Sequence, residues 1–317
     1  MIEIMHILSI SIPVTMSALG AGIGQGLIGL KSLQAVTIQP SASSEINKIS
    51  TVGLSLTETA AILGLVISIV LNIDTAVPLN YESAALGRIG IGIAIGLSGF
   101  IAGIASSLPA QAACLSVARQ PFFANKILQL MLLTQTVIMT PNVFGFIIAL
   151  LINAKVATVN SLNEGLQLLA AGLSIGLGSI GPCLGLSLFA YSACKAVGIN
   201  RKSYTKILPF TFIAEAIIET PVIFSLLVSL LILNVKISPT APIIQGICFI
   251  AAAFCMGMST LGTGISAGAT GSAACDQIGE NPEHYSIISK VGLLALAMID
   301  TFAIYGFIVS IMLIYTI

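Results

Sequence analysis

Apolar residues run through this chain in stretches longer than 18 residues, and polar residues gather in short segments between them. Such a stretch reads as a membrane-crossing helix, because about 20 residues rising 1.5 Å each match the hydrocarbon layer of a bilayer. The pattern predicts helices over 4–38, 49–72, 88–117, 127–153, 163–198, 206–234, 243–277 and 286–315. Glu3 and His6 precede the first apolar run and no basic segment does. That run is therefore expected to stay as a helix rather than be removed as a signal.

The polar positions repeat. Glu58-Thr59-Ala60, Met139-Thr140-Pro141, Glu219-Thr220-Pro221 and Asp300-Thr301-Phe302 begin 81, 80 and 81 residues apart. Eighteen residues before three of these anchors stands a proline, Pro40, Pro121 or Pro282; before Glu219 the position holds Arg201. Self-similarity at a fixed period marks a repeat architecture. The expectation is an all-α membrane protein with eight transmembrane helices in four tandem hairpins, at 1–80, 81–161, 162–241 and 242–317. An even number of spans per repeat gives every hairpin the same orientation, unlike the inverted repeats of many secondary transporters.

Composition supports the membrane class. The 317 residues are 56% hydrophobic and 8% charged, with mean hydropathy +1.07, whereas a soluble domain carries about 25% charged residues. Zero net charge offers no basic surface for nucleic acid. Lys31, Lys48, Arg119, Lys126, Lys195, Arg201, Lys202, Lys206 and Lys290 lie around the turns inside hairpins, against Arg88, Lys155 and Lys236 between hairpins. The bias places the hairpin turns in the cytoplasm and both termini across the membrane. Cys114, Cys183, Cys194, Cys248, Cys255 and Cys275 show no metal-ligand spacing and read as small apolar helix residues.

The first helix of each hairpin is rich in glycine, as in Gly20, Gly22, Gly24, Gly26 and Gly29 or Gly257, Gly262, Gly264, Gly268 and Gly271. Small residues let membrane helices approach closely. Alternating glycines suit a helix that touches like helices on both flanks, as in a tightly curved inner ring. Gly24-Gln25-Gly26-Leu27-Ile28-Gly29 also spells GxGxxG. That motif binds dinucleotides only after a strand, and here it sits inside an apolar helix.

Glu58, Glu219 and Asp300 lie halfway along the second helices, and Glu215 lies one turn before Glu219. An ionised carboxylate at mid-bilayer costs about 2.5–3.5 kcal/mol on insertion scales, so such groups mark ion pathways. The plain alternative is a protonated carboxyl that bonds a neighbouring helix. Thr59, Thr140, Thr220 and Thr301 follow the anchors; each hydroxyl could serve an ion, the carboxylate or its own helix carbonyl. Met139 can neither carry a proton nor ligate a hard cation, so hairpin two is expected to be silent. Gln135, one turn earlier, is polar but cannot titrate.

Together these residues resemble the c subunit, or proteolipid, of F-type ATP synthases. That family is a hairpin of about 80 residues with a glycine-rich first helix, an Arg-Gln-Pro turn and a carboxylate in the second helix. Arg119-Gln120-Pro121 carries the turn in full; Gln39-Pro40 and Asn281-Pro282 are variants, and hairpin three has lost it. The resemblance covers the chain four times over. It implies a ring of copies in the membrane, first helices inward, with ions loaded and released through a stator subunit a and turns bound to a central stalk. It implies no cofactor and no catalytic site in this chain, with ATP chemistry on partner subunits. In sodium-binding members a first-helix glutamine joins the carboxylate and a hydroxyl, as Gln25, Glu58 and Thr59 would. The counterparts of Gln25 are Ser106, Leu186 and Ala267, so protons are the favoured cargo and Na⁺ the alternative. Glu215 would add an oxygen at the third site or share a proton with Glu219. The reading from another class is a stand-alone channel or transporter using the same carboxylates. The absence of inverted repeats and of spans broken by glycine or proline counts against that.

Overall fold

The computed structural model describes residues 2–73, 80–238 and 242–315. The expected boundary between hairpins three and four, at 241/242, touches residue 241, which lies outside the described residues. Among the described residues the chain is helical and holds no strand. The helices are α1 (Ile2–Ile38), α2 (Ser43–Ile73), α3 (Tyr81–Arg119), α4 (Ala124–Val156), α5 (Leu162–Gly178), α6 (Ile180–Ile199), α7 (Tyr204–Asn234), α8 (Ile244–Glu280) and α9 (Tyr285–Tyr315). With α5 and α6 counted as one interrupted span, they supply eight segments long and apolar enough to cross a membrane. The fold is an all-α membrane fold of four tandem hairpins.

Most helices run past the ends the hydrophobic pattern marks. The uninterrupted ones hold 31 to 39 residues, about 46–58 Å at 1.5 Å per residue, against a hydrocarbon layer of about 30 Å. Capping explains the early starts. The Asn80 side chain accepts from the Glu82 and Ser83 amides at 3.1 and 3.2 Å, which begins α3 seven residues before the expected 88. Ser161 accepts from the Glu164 amide at 3.3 Å while Glu164 accepts from the Asn160 amide at 2.6 Å. Both satisfy helix-end donors that otherwise have no partner.

The span expected over 163–198 carries one irregularity, at Ser179. Pro182 has no N–H to offer the Gly178 carbonyl four residues back. The α-helical ladder skips that rung, and Ser179 then accepts from Cys183 at 3.1 Å. Ser179 keeps right-handed helical backbone and donates to the Ile175 carbonyl at 3.0 Å, so the segment still serves as one span over Leu162–Ile199.

All four turns have one geometry. Each second helix is entered through a single 3₁₀ turn: Pro40–Ala42, Pro121–Phe123, Arg201–Ser203 and Pro282–His284. A residue before proline is pushed to extended backbone, and Gln39, Gln120 and Asn281 hold φ near −138°, −138° and −131°. Asn200 takes the same φ, −139°, without a proline after it. Its side chain accepts from the Lys202 amide at 3.0 Å and replaces the ring constraint with an Asx turn. Hairpin three has lost the motif and kept the turn.

The helices form two rows. α1, α3, α5–α6 and α8 pack in sequence as one row, and α2, α4, α7 and α9 as the other. α2, α4 and α7 each lie against the first helix of their own hairpin and that of the next. Glycine sets the spacing in the first row. A Cβ at Gly24 would overlap the Gly103 carbonyl on α3, and one at Gly185 would overlap the Gly264 carbonyl on α8. A Cβ at Gly22, Gly26 or Gly29 would meet nothing within 4 Å among the described residues, so the opposite flank of α1 is open there.

Candidate ion-binding sites

The shared turn puts the anchors at one height. Glu58, Met139, Glu219 and Asp300 each lie fifteen residues after the first residue of α2, α4, α7 and α9, about 22 Å along the axis. Their exposure differs. Glu58 is exposed, Glu219 and Asp300 are half-buried, and Met139 is 8% exposed. One Asp300 oxygen, Oδ1, is buried and has no hydrogen-bond partner among the described residues.

Three anchor threonines spend their hydroxyls on their own helices. Thr59 donates to the Leu56 carbonyl at 2.6 Å, Thr220 to Ala216 at 2.8 Å and Thr301 to Met298 at 2.6 Å. Thr140 differs: its side chain lies beside the Glu219 carboxyl, across the seam between hairpins two and three. Sequence reading left each hydroxyl open between an ion, the adjacent carboxylate and its own helix carbonyl, and did not pair Thr140 with the next hairpin. Only the packing of α4 on α7 brings the two together. Gln25 does reach α2, but its Nε2 donates to the Leu54 carbonyl at 3.2 Å, one turn before Glu58. Glu215 lies one turn before Glu219 on α7 and is buried more deeply than it. It is 3% exposed, in the interior.

The seam behind Met139 is polar without charge. Gln135 Nε2 donates to the Gly53 carbonyl at 2.8 Å and to Thr57 Oγ1 at 3.2 Å, and Ser106 donates to Thr57 Oγ1 at 3.2 Å. These side chains are fully buried. Ser106 holds the register of Gln25, so the polar character of the site persists where its carboxylate is missing.

Among the turn residues, Gln120 ties its turn to hairpin three by donating to the Gly198 carbonyl at 3.0 Å, while Gln39 bonds Ser41 at 2.9 Å. Arg119, Gln120, Pro121 and Arg201 line an open cavity of about 590 Å³ between those turns, and Phe122 at its rim is fully exposed. Phe122 escaped the sequence reading because an apolar residue beside a membrane span carries no signal. Pro40, Asn281 and Pro282 hold equivalent places in the other turns. The GxGxxG string lies within α1, with no strand before it among the described residues. No group of three or more His, Cys, Asp or Glu is placed to hold a metal ion among the described residues.

Comparison with known proteins agrees with this geometry. The sequence model of the ATP synthase C subunit family matches four times, over residues 8–71, 89–152, 169–232 and 250–313. The chain belongs to the ATP synthase C subunit family. In this family member each anchor falls fifty residues after the start of its match, so family and structure agree on the register. The chain is 27% identical to the A-type ATP synthase subunit K of Methanocaldococcus jannaschii, over 72% of this chain and 95% of that protein. It is 38% identical to the ATP synthase c subunit of Chloroflexus aurantiacus, over 22% of this chain and 91% of that protein. For the ATP synthase c subunit of Dehalococcoides mccartyi the identity is 36%, over 22% and 92%.

Proposed function

We propose that this chain is the ion-carrying rotor subunit of a membrane ATP synthase or ion-pumping ATPase, closing into a ring with copies of itself. The observation that carries the reading is the common height of Glu58, Glu219 and Asp300 in helices that cross the membrane. A rotor needs carriers at one level, because each must meet the same stator channels. The open glycine flank of α1 supports a further first helix beside it, supplied by the next copy. The hairpin units are 1–80, 81–161, 162–241 and 242–317, with turns on the cytoplasmic side facing a central stalk and carboxyls facing lipid and a stator subunit a.

Each carboxyl loads an ion, crosses lipid neutralised and releases it where a stator charge favours the ionised form. Neutralisation is needed because bare charge at mid-membrane is costly. Protons fit this chain better than Na⁺. A sodium ion needs several oxygens, and Leu186 and Ala267, which stand in the register of Gln25 in hairpins three and four, bring no side-chain oxygen. Catalysis on ATP belongs to partner subunits.

Met139 leaves three carriers for four hairpins. Moving one charge against 100 mV takes about 2.3 kcal/mol. Fewer ions per turn give each ion more free energy, so the machine favours pumping against steep gradients.

The test is carbodiimide labelling of the detergent-extracted oligomer together with the subunits that co-purify. Labels on Glu58, Glu219 and Asp300, slowed at high pH, with ATPase subunits bound, are expected. An oligomer that pulls down no ATPase subunit and moves ions alone overturns the rotor reading in favour of a channel.

A further inference from the structure

Glu215 on α7 is 3% exposed, and its Oε1 is buried and meets no donor among the described residues. It forms no ion pair; Lys195–Asp276, the ion pair between α6 and α8, involves other residues. The titratable groups that face it are Glu219 on its own helix, Cys194 on α6 and Cys275 on α8. On α4, Thr134 lies beside Cys194. Among the described residues no cation balances this carboxyl, and a bare charge there would be costly.

The repeat shows what such a side chain does when it is neutral. Gln135 lies on α4 where Glu215 lies on α7, one turn before the anchor. Its amide donates 2.8 Å to the carbonyl of Gly53 on the preceding second helix, five residues before Glu58. The residue five before Met139 is Thr134, on the helix that precedes α7 in the same row. An ionised Glu215 would present only acceptors to that carbonyl. A carboxylic acid has the shape of the Gln135 side chain and, like it, both a donor and an acceptor.

We propose that Glu215 is a neutral acid whose O–H donates to the Thr134 carbonyl, and that its proton stays in place while the proton of Glu219 is exchanged. Glu215 is then a positioning residue. It clamps α7 to α4 one turn from the place where Thr140 meets Glu219, and it is not a fourth carrier replacing Met139. The inference rests on the reading of Glu219 as a carrier.

The test compares E215Q, E215L and E219Q in the intact complex. E215L is expected to lower the temperature at which the oligomer dissociates and to shift the pH profile of carbodiimide labelling at Glu219. E215Q is expected to restore both, with the ions moved per ATP unchanged. Infrared spectra should contain an acid C=O band that E215Q removes and that stays fixed from acid to alkaline pH. Fewer ions per ATP in E215Q, an E215Q as impaired as E215L, an E215L identical to the parent, or a band that titrates would each overturn the proposal. If E219Q leaves transport intact, the carrier reading fails, and the infrared band with the E215Q–E215L contrast still decides the state of Glu215.

Discussion

The side chain of Thr140 on α4 lies beside the Glu219 carboxyl on α7. The hydroxyl next to Glu219 in sequence, Thr220, donates instead to the Ala216 carbonyl of its own helix at 2.8 Å. The polar support of this carboxyl therefore comes from the hairpin before it. A hydrogen bond from that hydroxyl to the charged carboxyl would contribute about 1.5–3 kcal/mol, roughly ten-fold or more in an equilibrium. T140V should move the pH midpoint of carbodiimide labelling at Glu219, and T220V should leave it in place. The opposite pattern would show that the pairing across the seam does not govern the site.

The glycines of α1 divide by flank. Gly24 faces the Gly103 carbonyl, while a Cβ at Gly26 would meet nothing within 4 Å among the described residues. A leucine side chain at Gly24 must push α1 away from α3, since backbone cannot yield as a flexible side chain can. G24L should weaken the chain itself, seen as protease sensitivity of the solubilised protein. G26L should leave the single chain protected and block the oligomer, seen in native electrophoresis. An intact oligomer in G26L would place the copy-to-copy contact elsewhere.

Met139 sets the gearing. M139E adds a carboxyl at the height of the other three, so ions per turn should rise by about a third when it loads and each charge costs the same against the membrane potential. The ion-to-ATP ratio of reconstituted complex measures this. An unchanged ratio, with the new carboxyl labelled by carbodiimide, would refute the gearing.

Lys195 and Asp276 form an ion pair at 3.1 Å with side chains 40% and 33% exposed. Screened pairs of this kind contribute about 0.2–1 kcal/mol. K195A should therefore change thermal stability of the solubilised chain only slightly, far less than G24L. A large loss would mean that the pair is shielded from water in the membrane-embedded state.

Much of this molecule is legible in its sequence. Long apolar runs announce spanning helices because the bilayer gives backbone polar groups no partner outside a helix. The 80-residue register located the second-helix anchors, and their equal height follows from it. Helix starts were less legible, because Asn80 and the short 3₁₀ turns extend helices through polar residues. Pro182 is visible in sequence, yet its effect is set by the Gly178 carbonyl it fails to meet. The sites were half legible. Glu58, Glu219 and Asp300 stood out as charges in apolar helices. The destinations of Thr59, Thr140, Gln25 and Gln135 did not, because hydroxyls and amides have several partners within reach.

The sequence alone determined the class, the repeat, the family and the one repeat without a carboxylate, since these depend on which residue types recur at which interval. The packing of helices decided which hairpin supports which carboxyl: Thr140 for Glu219, Gln135 for the seam at Gly53, and a buried setting for Glu215. The physical reason is that a side chain's partner across a seam depends on the rotation and spacing of two helices. Glycine contacts fix that spacing only once the whole row has assembled.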